Sequence, residues 1–84
     1  MDALDPAIRA VLRDYARLLV DIDVLDADDD LFEAGMTSYA SVNVMLALEE
    51  AFDIEFPDSM LNRGVFVSIA SIRRALLELQ ASMR

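Results

Sequence analysis

Ser38 is the residue of this 84-residue chain whose type and position favour covalent chemistry. It follows the loop segment 30–37 and stands at the start of an apolar helical pattern. The chain has no Cys and no His, so it supplies neither a thiol nor an imidazole of its own. A serine nucleophile needs an adjacent base in a preformed pocket, and a chain this small offers little concave volume. We therefore expect no enzyme, and a hydroxyl that carries a group borrowed from elsewhere.

The neighbours of Ser38 indicate why its hydroxyl could be free for modification. Gly35 permits a tight turn before the helix, and Thr37 is able to cap the helix so that Ser38 need not. A phosphodiester on Ser38 would lie beside free helical N–H groups, at the end of the helix dipole that favours an anion. On position alone, the simpler alternative is a serine that only satisfies backbone N–H groups at a helix start.

Acidic residues dominate the charge of the chain. Sixteen Asp and Glu residues against seven Arg residues give a net charge of −9. Twelve of these acids lie between Asp21 and Asp58, where there is no basic residue. Such a field disfavours nucleic acid, and it attracts basic protein partners and speeds their encounter. The alternative is a solvated acidic loop that only aids solubility.

The run from Asp26 to Asp30 partly matches a calcium-binding loop. Such a loop needs acids at positions one, three and five, Gly at six and a bidentate Glu at twelve. Asp26, Asp28 and Asp30 fill the first three positions, but Leu31 and Thr37 occupy the last two. The match fails where the glycine and the bidentate carboxylate are needed, so we predict no metal site.

Length and apolar content predict one small domain over residues 1–84. With 56% hydrophobic residues the chain can build a core, although no Cys is present to brace it. The first residues are acidic, unlike the basic start of a signal peptide, and the apolar runs are too short to span a membrane. We expect a cytoplasmic protein and, since the arginines of the first and last helices give no sign of self-association, a monomer.

Apolar periodicity predicts an all-α fold, a small four-helix bundle of three long helices and one short helix, with a long loop between helices 1 and 2. The predicted helices span residues 6–20, 38–52, 59–63 and 69–80. Gly64 is predicted to end the short helix. The predicted N-caps are Asp5, Thr37, Asp58 or Ser59, and Ser68.

Each long helix is predicted to bury one apolar stripe. Helix 1 is expected to bury Ile8, Val11, Leu12, Tyr15, Leu18 and Leu19. Helix 2 is expected to bury Val42, Met45, Leu46, Leu48, Ala51 and Phe52. The last helix is expected to bury Ile69, Ile72, Leu76 and Leu79. The residues expected to hold the loop 21–37 on the core are Val24, Leu25, Leu31 and Phe32. Ile54 and Phe56 are expected in a packed linker.

The run Leu-Phe-Glu-Ala-Gly-Met-Thr-Ser at 31–38, with the apolar positions of helix 2 and the segment 48–57, resembles the central part of acyl and peptidyl carrier proteins. Ser68 and the apolar stripe that follows resemble their last helix, so the similarity extends from helix 1 to about Leu79. The resemblance implies that a phosphopantetheinyl transferase attaches 4′-phosphopantetheine to Ser38. It also implies that the terminal thiol of this arm holds a substrate as a thioester for partner enzymes.

Four positions depart from the patterns of known carriers. Thr37 and Tyr39 stand where Asp and Leu usually flank the modified serine, and helix 2 has Ala40 and Asn43 where fatty-acid carriers often have acids. The local pattern Thr37-Ser38-Tyr39 and the free-standing length resemble the stand-alone aminoacyl carrier proteins. That resemblance implies loading by an amino acid:carrier protein ligase related to class II seryl-tRNA synthetases, and a downstream acceptor enzyme. The alternatives are a fatty-acyl or polyketide carrier, and an acidic helical interaction module without cofactor.

Apolar residues around helix 2 and the short helix are expected to contact partners if they are exposed. Arg63 is a single positive charge in this region, and it could contact the phosphate of the arm, an acid of a partner, or only solvent. For the apolar residues, the alternative is a place in the core, because a small bundle needs its large side chains there. The candidate partner-binding residues are Met36, Tyr39, Val44, Arg63, Val65 and Phe66, with Leu61 beside them.

Overall fold

The computed structural model describes residues 4–82 of the chain. Within this range it contains four α-helices and no strand, which confirms the predicted all-α fold with three long helices and one short helix. No helix in the described range combines the length and apolar character needed to cross a bilayer. The helices are α1 (Leu4–Tyr15), α2 (Ser38–Phe52), α3 (Arg63–Phe66) and α4 (Ile69–Ser82), and single 3-10 turns lie at Ile22–Val24 and Asp58–Met60.

The core forms where α1, α2 and α4 face one another. Each contributes fully buried aliphatic side chains, such as Leu12, Leu48 and Leu76. Burying one such side chain stabilises the fold by roughly 1.5–3 kcal/mol, so these positions hold the helices together. The turns and loops add Ile22, Leu31, Met36, Ile54 and Phe56 to the same cluster.

Helix α1 ends at Tyr15, five residues before the predicted end at Val20. The last helical hydrogen bond joins Ala16 N to Leu12 O at 3.0 Å, and Arg17 then adopts a left-handed conformation with φ of 56°. The predicted stripe is therefore wrong at Tyr15 and Leu19, which are exposed, and Ala16 takes a buried place. Leu18 is partly buried against the core, as predicted.

The predicted cap of α1 is also wrong. Asp5 lies inside the first turn, since the helix begins at Leu4. Its carboxylate accepts hydrogen bonds from Arg73 Nη1 at 2.7 and 2.9 Å, which ties α1 to α4. The charge of Asp5 still favours this end of the helix, because the dipole is positive there.

The loop between α1 and α2 is held in place by hydrogen bonds to its backbone and by buried side chains. Arg9 Nη1 donates to the carbonyls of Ile22 at 2.8 Å and Leu25 at 2.9 Å. At the other side, Leu31 N donates to Val67 O at 2.7 Å. The side-chain prediction is confirmed for Leu31, which is buried, and for Leu25 and Phe32, which are partly buried, but it is wrong for the exposed Val24.

The region between α2 and α4 differs most from prediction. The segment expected to be one helix over 59–63 is a 3-10 turn at Asp58–Met60 followed by α3 at Arg63–Phe66. Asn62 caps α3, because its Oδ1 accepts from Val65 N at 3.2 Å, and neither Asp58 nor Ser59 caps a helix. Gly64 consequently lies inside α3 instead of ending it.

Helices α2 and α4 begin where the sequence predicts. The cap of α4 is reciprocal: Ser68 Oγ accepts from Ser71 N at 3.1 Å, and Ser71 Oγ accepts from Ser68 N at 3.0 Å. The buried face of α2 is rotated from the predicted one, since Ala40, Val44 and Leu48 form it. The predicted core positions Val42, Leu46 and Ala51 are exposed.

Candidate functional site

Thr37 caps α2, as predicted, and leaves the hydroxyl of Ser38 without this task. Thr37 is extended, with φ of −86° and ψ of 165°, and its Oγ1 accepts from Ala40 N at 3.0 Å. Its carbonyl accepts from Ser41 N at 2.9 Å. The N–H groups of Ser38 and Tyr39 have no intrahelical acceptor, because they belong to the first turn. The start of α2 therefore favours an anionic group at Ser38.

Two serine hydroxyls lie close together at this helix start, and they differ in availability. Ser38 is exposed, and its hydroxyl has no hydrogen-bond partner among the described side chains and backbone. Ser41 is partly buried, and its Oγ donates to Ser38 O at 2.6 Å. An enzyme that modifies this surface would thus meet a free hydroxyl at Ser38 and an engaged one at Ser41.

The loop before Ser38 is shaped by an aspartate and a glycine. Asp30 Oδ1 accepts from Phe32 N at 2.8 Å and from Glu33 N at 3.2 Å. Gly35 has φ of 118°, and a β-carbon there would stand 2.7 Å from Leu19 Cγ. The predicted tight turn at Gly35 is therefore present. The absence of a side chain at Gly35 also allows Leu19 to approach closely.

The acids of this loop serve its turns. Asp29 Oδ2 accepts from Asp26 N at 2.8 Å, and Asp21 Oδ1 accepts from Asp23 N at 3.0 Å. In the described part of the chain no three acidic side chains are grouped so that they could hold a metal ion.

A groove of about 300 Å³ opens beside Ser38, between α2 and the segment that leads into α3. Its walls are largely apolar, and its charged side chain is Arg63, whose Cζ lies 3.8 Å from the centroid of the Phe32 ring. The groove is lined by Phe32, Ser38, Ser41, Val42, Met45, Leu61, Asn62, Arg63 and Phe66.

Half of the predicted partner-binding residues are not on the surface. Met36, Val44 and Phe66 are buried, so the alternative of a place in the core applies to them. Val44 lies on the core face of α2, and Phe66 packs edge-to-face on Phe56 with ring centroids 5.4 Å apart. Phe66 still forms part of the groove wall.

The other candidate residues remain accessible. Tyr39 is 82% exposed beside Ser38, Arg63 and Leu61 are exposed, and Val65 is partly buried. Sequence reasoning did not identify Phe32, Val42, Met45 or Asn62 as members of the site. The apolar spacing of Val42 and Met45 predicted that they lie in the core. No local sequence pattern indicates that α2 and the segment before α3 lie side by side.

The fold and this site define a class of protein, a small helical bundle with one free serine at the start of its second helix. A family model described as "Phosphopantetheine attachment site" matches residues 6–76. An aminoacyl carrier protein of Agrobacterium fabrum (strain C58 / ATCC 33970) is 46% identical over 69 residues, which cover 82% of this chain and 83% of the relative.

Two solved structures that contain carrier proteins are also similar to this chain. The first is engineered Bradyrhizobium japonicum glycine:[carrier protein] ligase complexed with carrier protein from Agrobacterium tumefaciens and ATP. The match to it has a TM-score of 0.87 and 43% sequence identity, and it covers 89% of this chain and 97% of that chain. The second is Bradyrhizobium japonicum glycine:[carrier protein] ligase complexed with glycylated carrier protein. The match to it has a TM-score of 0.76 and 27% sequence identity, and it covers 88% of this chain and 99% of that chain.

The chain therefore belongs to the phosphopantetheine-binding carrier proteins. The predicted family, the 4′-phosphopantetheine cofactor and the prediction of a non-catalytic carrier are confirmed. The residues at the start of α2 fit the cofactor, because a free hydroxyl, unbonded helical N–H groups and an open groove with a cation lie together there.

Proposed function

We propose that this protein is an aminoacyl carrier protein in which Ser38 bears the 4′-phosphopantetheine arm. The observation that carries the proposal is the hydroxyl of Ser38, exposed and unbonded within the described residues, at the start of α2 in a chain of this family. When bound, the arm supplies the terminal thiol that holds an aminoacyl group as a thioester.

The chain's own residues keep this position ready for modification. Thr37 caps α2 in place of Ser38, and Gly35 with Asp30 fixes the loop that leads to the serine. The remaining N–H groups of the first turn favour the negative phosphodiester. The role of the domain is then to present one ester linkage rigidly while the attached arm moves.

An amino acid is the cargo best supported by the relatives. The relative with 46% identity is named an aminoacyl carrier protein, and one similar structure contains a glycylated carrier protein. We infer that a phosphopantetheinyl transferase first attaches the arm and that a synthetase-like amino acid:carrier protein ligase then loads it. A downstream acceptor enzyme receives the aminoacyl group afterwards.

The attachment site is tested by intact-mass analysis after incubation with a broad-specificity phosphopantetheinyl transferase and coenzyme A. We expect a single phosphopantetheine increment in the wild type and in Ser41→Ala, and none in Ser38→Ala. Ser41 is the matched control because it lines the same groove three residues away. An increment that persists in Ser38→Ala would reject the assignment.

The cargo is tested on the modified protein. Incubation with ATP, glycine and the Bradyrhizobium japonicum ligase should add one amino acid that hydroxylamine releases, as expected for a thioester. Malonyl transfer by a fatty-acid synthase transferase, without aminoacylation, would instead favour the fatty-acyl or polyketide alternative. Partner binding that survives Ser38→Ala, in a protein that no transferase modifies, would favour the interaction module.

A further inference from the structure

Arg63 lies on the groove beside Ser38 in a defined position. Its guanidinium carbon Cζ lies over the Phe32 ring, 3.8 Å from the ring centroid. Arg63 is exposed, and its N–H groups make no hydrogen bond or ion pair with another described residue. A cation stacked on an aromatic face keeps its in-plane donors free for an anion.

The charges around Arg63 make this arrangement unusual for the chain. Twelve acids lie between Asp21 and Asp58, and the net charge is −9. Yet no acidic side chain lines the groove that Arg63 shares with Ser38. The other groove-lining residues are hydroxyl, amide, aromatic or aliphatic. A negative group at Ser38 would therefore meet one cation in a chain whose overall field repels it.

We infer that Arg63, held on Phe32, is the positioning residue for the phosphodiester attached to Ser38. The inference rests on the proposed function and adds to it a named residue that limits the orientations of the arm at its root. A guanidinium offers a planar fork that suits phosphate oxygens better than an ammonium does. The stack on Phe32 lowers the entropy lost when the fork engages, because the side chain is already oriented.

The test uses the full chain carrying phosphopantetheine, with mass analysis confirming complete modification. We expect the Arg63 Nε–Hε signal in ¹H–¹⁵N spectra to shift when the unmodified protein becomes modified. We expect the ³¹P signal of Arg63→Gln to move away from that of the wild type, toward that of the same modified chain unfolded in urea, with Arg63→Lys in between. Arg74→Gln is the matched control, since Arg74 is exposed and lines a different groove, and its ³¹P signal should equal that of the wild type.

Phe32→Leu tests the stack separately. It keeps the charge and removes the ring, so the ³¹P signal should move part of the way, provided that circular dichroism shows a folded protein. Identical ³¹P signals for wild type and Arg63→Gln, with an unchanged Arg63 Nε–Hε signal, would overturn the inference. If these signals are unchanged but the ligase loads Arg63→Gln more slowly than the wild type, the inference is also overturned. Arg63 would then contact an acidic residue of the ligase instead of the phosphodiester. Absence of any modification in the wild type would contradict the proposed function instead.

Discussion

Leu19 and Gly35 meet at the base of the loop that presents Ser38. A β-carbon on Gly35 would stand 2.7 Å from Leu19 Cγ and 2.9 Å from Leu19 N. The backbone there has little room to move, because Leu19 N donates to Ala34 O at 2.9 Å. The Leu19 side chain is 86% exposed, so it contributes little to the core. The close approach of the two residues requires only that residue 35 has no side chain.

Gly35→Ala should therefore lower the free energy of unfolding by at least about 2 kcal/mol, through the positive φ and the contact with Leu19. Urea denaturation measures this change. Gly64→Ala is the matched control, because Gly64 lies in α3 and its added β-carbon would meet only Asn62 Oδ1, at 3.2 Å. We expect that control to change stability by less than about 1 kcal/mol. Equal effects at both glycines would contradict the role assigned to Leu19.

Thr37→Ala should cost about 1 kcal/mol of stability, because it removes the acceptor for Ala40 N. Thr37→Asp should keep the cap and match the wild type to within about 0.5 kcal/mol. Thermal and urea unfolding of the two variants give the comparison. A loss of stability in Thr37→Asp as large as in Thr37→Ala would show that capping is not what Thr37 contributes.

Two ion pairs of the fold should differ in strength. The Asp5–Arg73 pair has side chains 29% and 30% exposed, whereas the Arg13–Asp23 pair has side chains 52% and 64% exposed. Solvent screens the second pair more, so a double-mutant cycle should give it a coupling energy near zero and give the first about 1 kcal/mol. The cycles use Asp5→Asn with Arg73→Gln, and Asp23→Asn with Arg13→Gln. A larger coupling for the exposed pair would contradict this order.

Arg9→Met should loosen the start of the loop, because the carbonyl of Leu25 loses the guanidinium donor and the carbonyl of Ile22 keeps only the N–H of Leu25. An unpaired carbonyl that stays away from water costs about 1–3 kcal/mol. Hydrogen exchange should quicken at Val24 N and Leu25 N, which close the 3-10 turn at Ile22–Val24. Exchange within α2 should stay slow. Unchanged exchange at the turn would show that Arg9 does not hold it.

Tyr39→Ala should slow loading by the ligase while leaving stability within about 0.5 kcal/mol of the wild type, since an exposed side chain contributes little to the core. Tyr39 is 82% exposed and adjacent to Ser38, so an enzyme that acts on the arm at Ser38 comes close to the Tyr39 side chain. Leu77→Ala is the control, because Leu77 is exposed on α4. Equal loading rates for Tyr39→Ala and the wild type would exclude Tyr39 from the interface.

Local sequence rules succeeded where a helix is determined by its own residues. The start of α2 at Ser38 follows from the Thr37 cap, and the start of α4 follows from Ser68. They failed at the end of α1, where Arg17 is left-handed and the chain that follows it packs against Gly35 through Leu19. They failed again before α3, where the Asn62 cap forms although Gly64 predicted a stop.

The attachment residue could be proposed from the sequence alone, because the run at 31–38 and the segments that follow it resemble carrier proteins and place Ser38 at the position of their modified serine. The surroundings of that residue were decided only by the tertiary structure. Arg63 reaches the ring of Phe32 across thirty positions of the chain, and Val44 turns inward because α2 packs on α1 through that face. Such contacts depend on how helices dock, and periodicity along one helix carries no information about the distance to another.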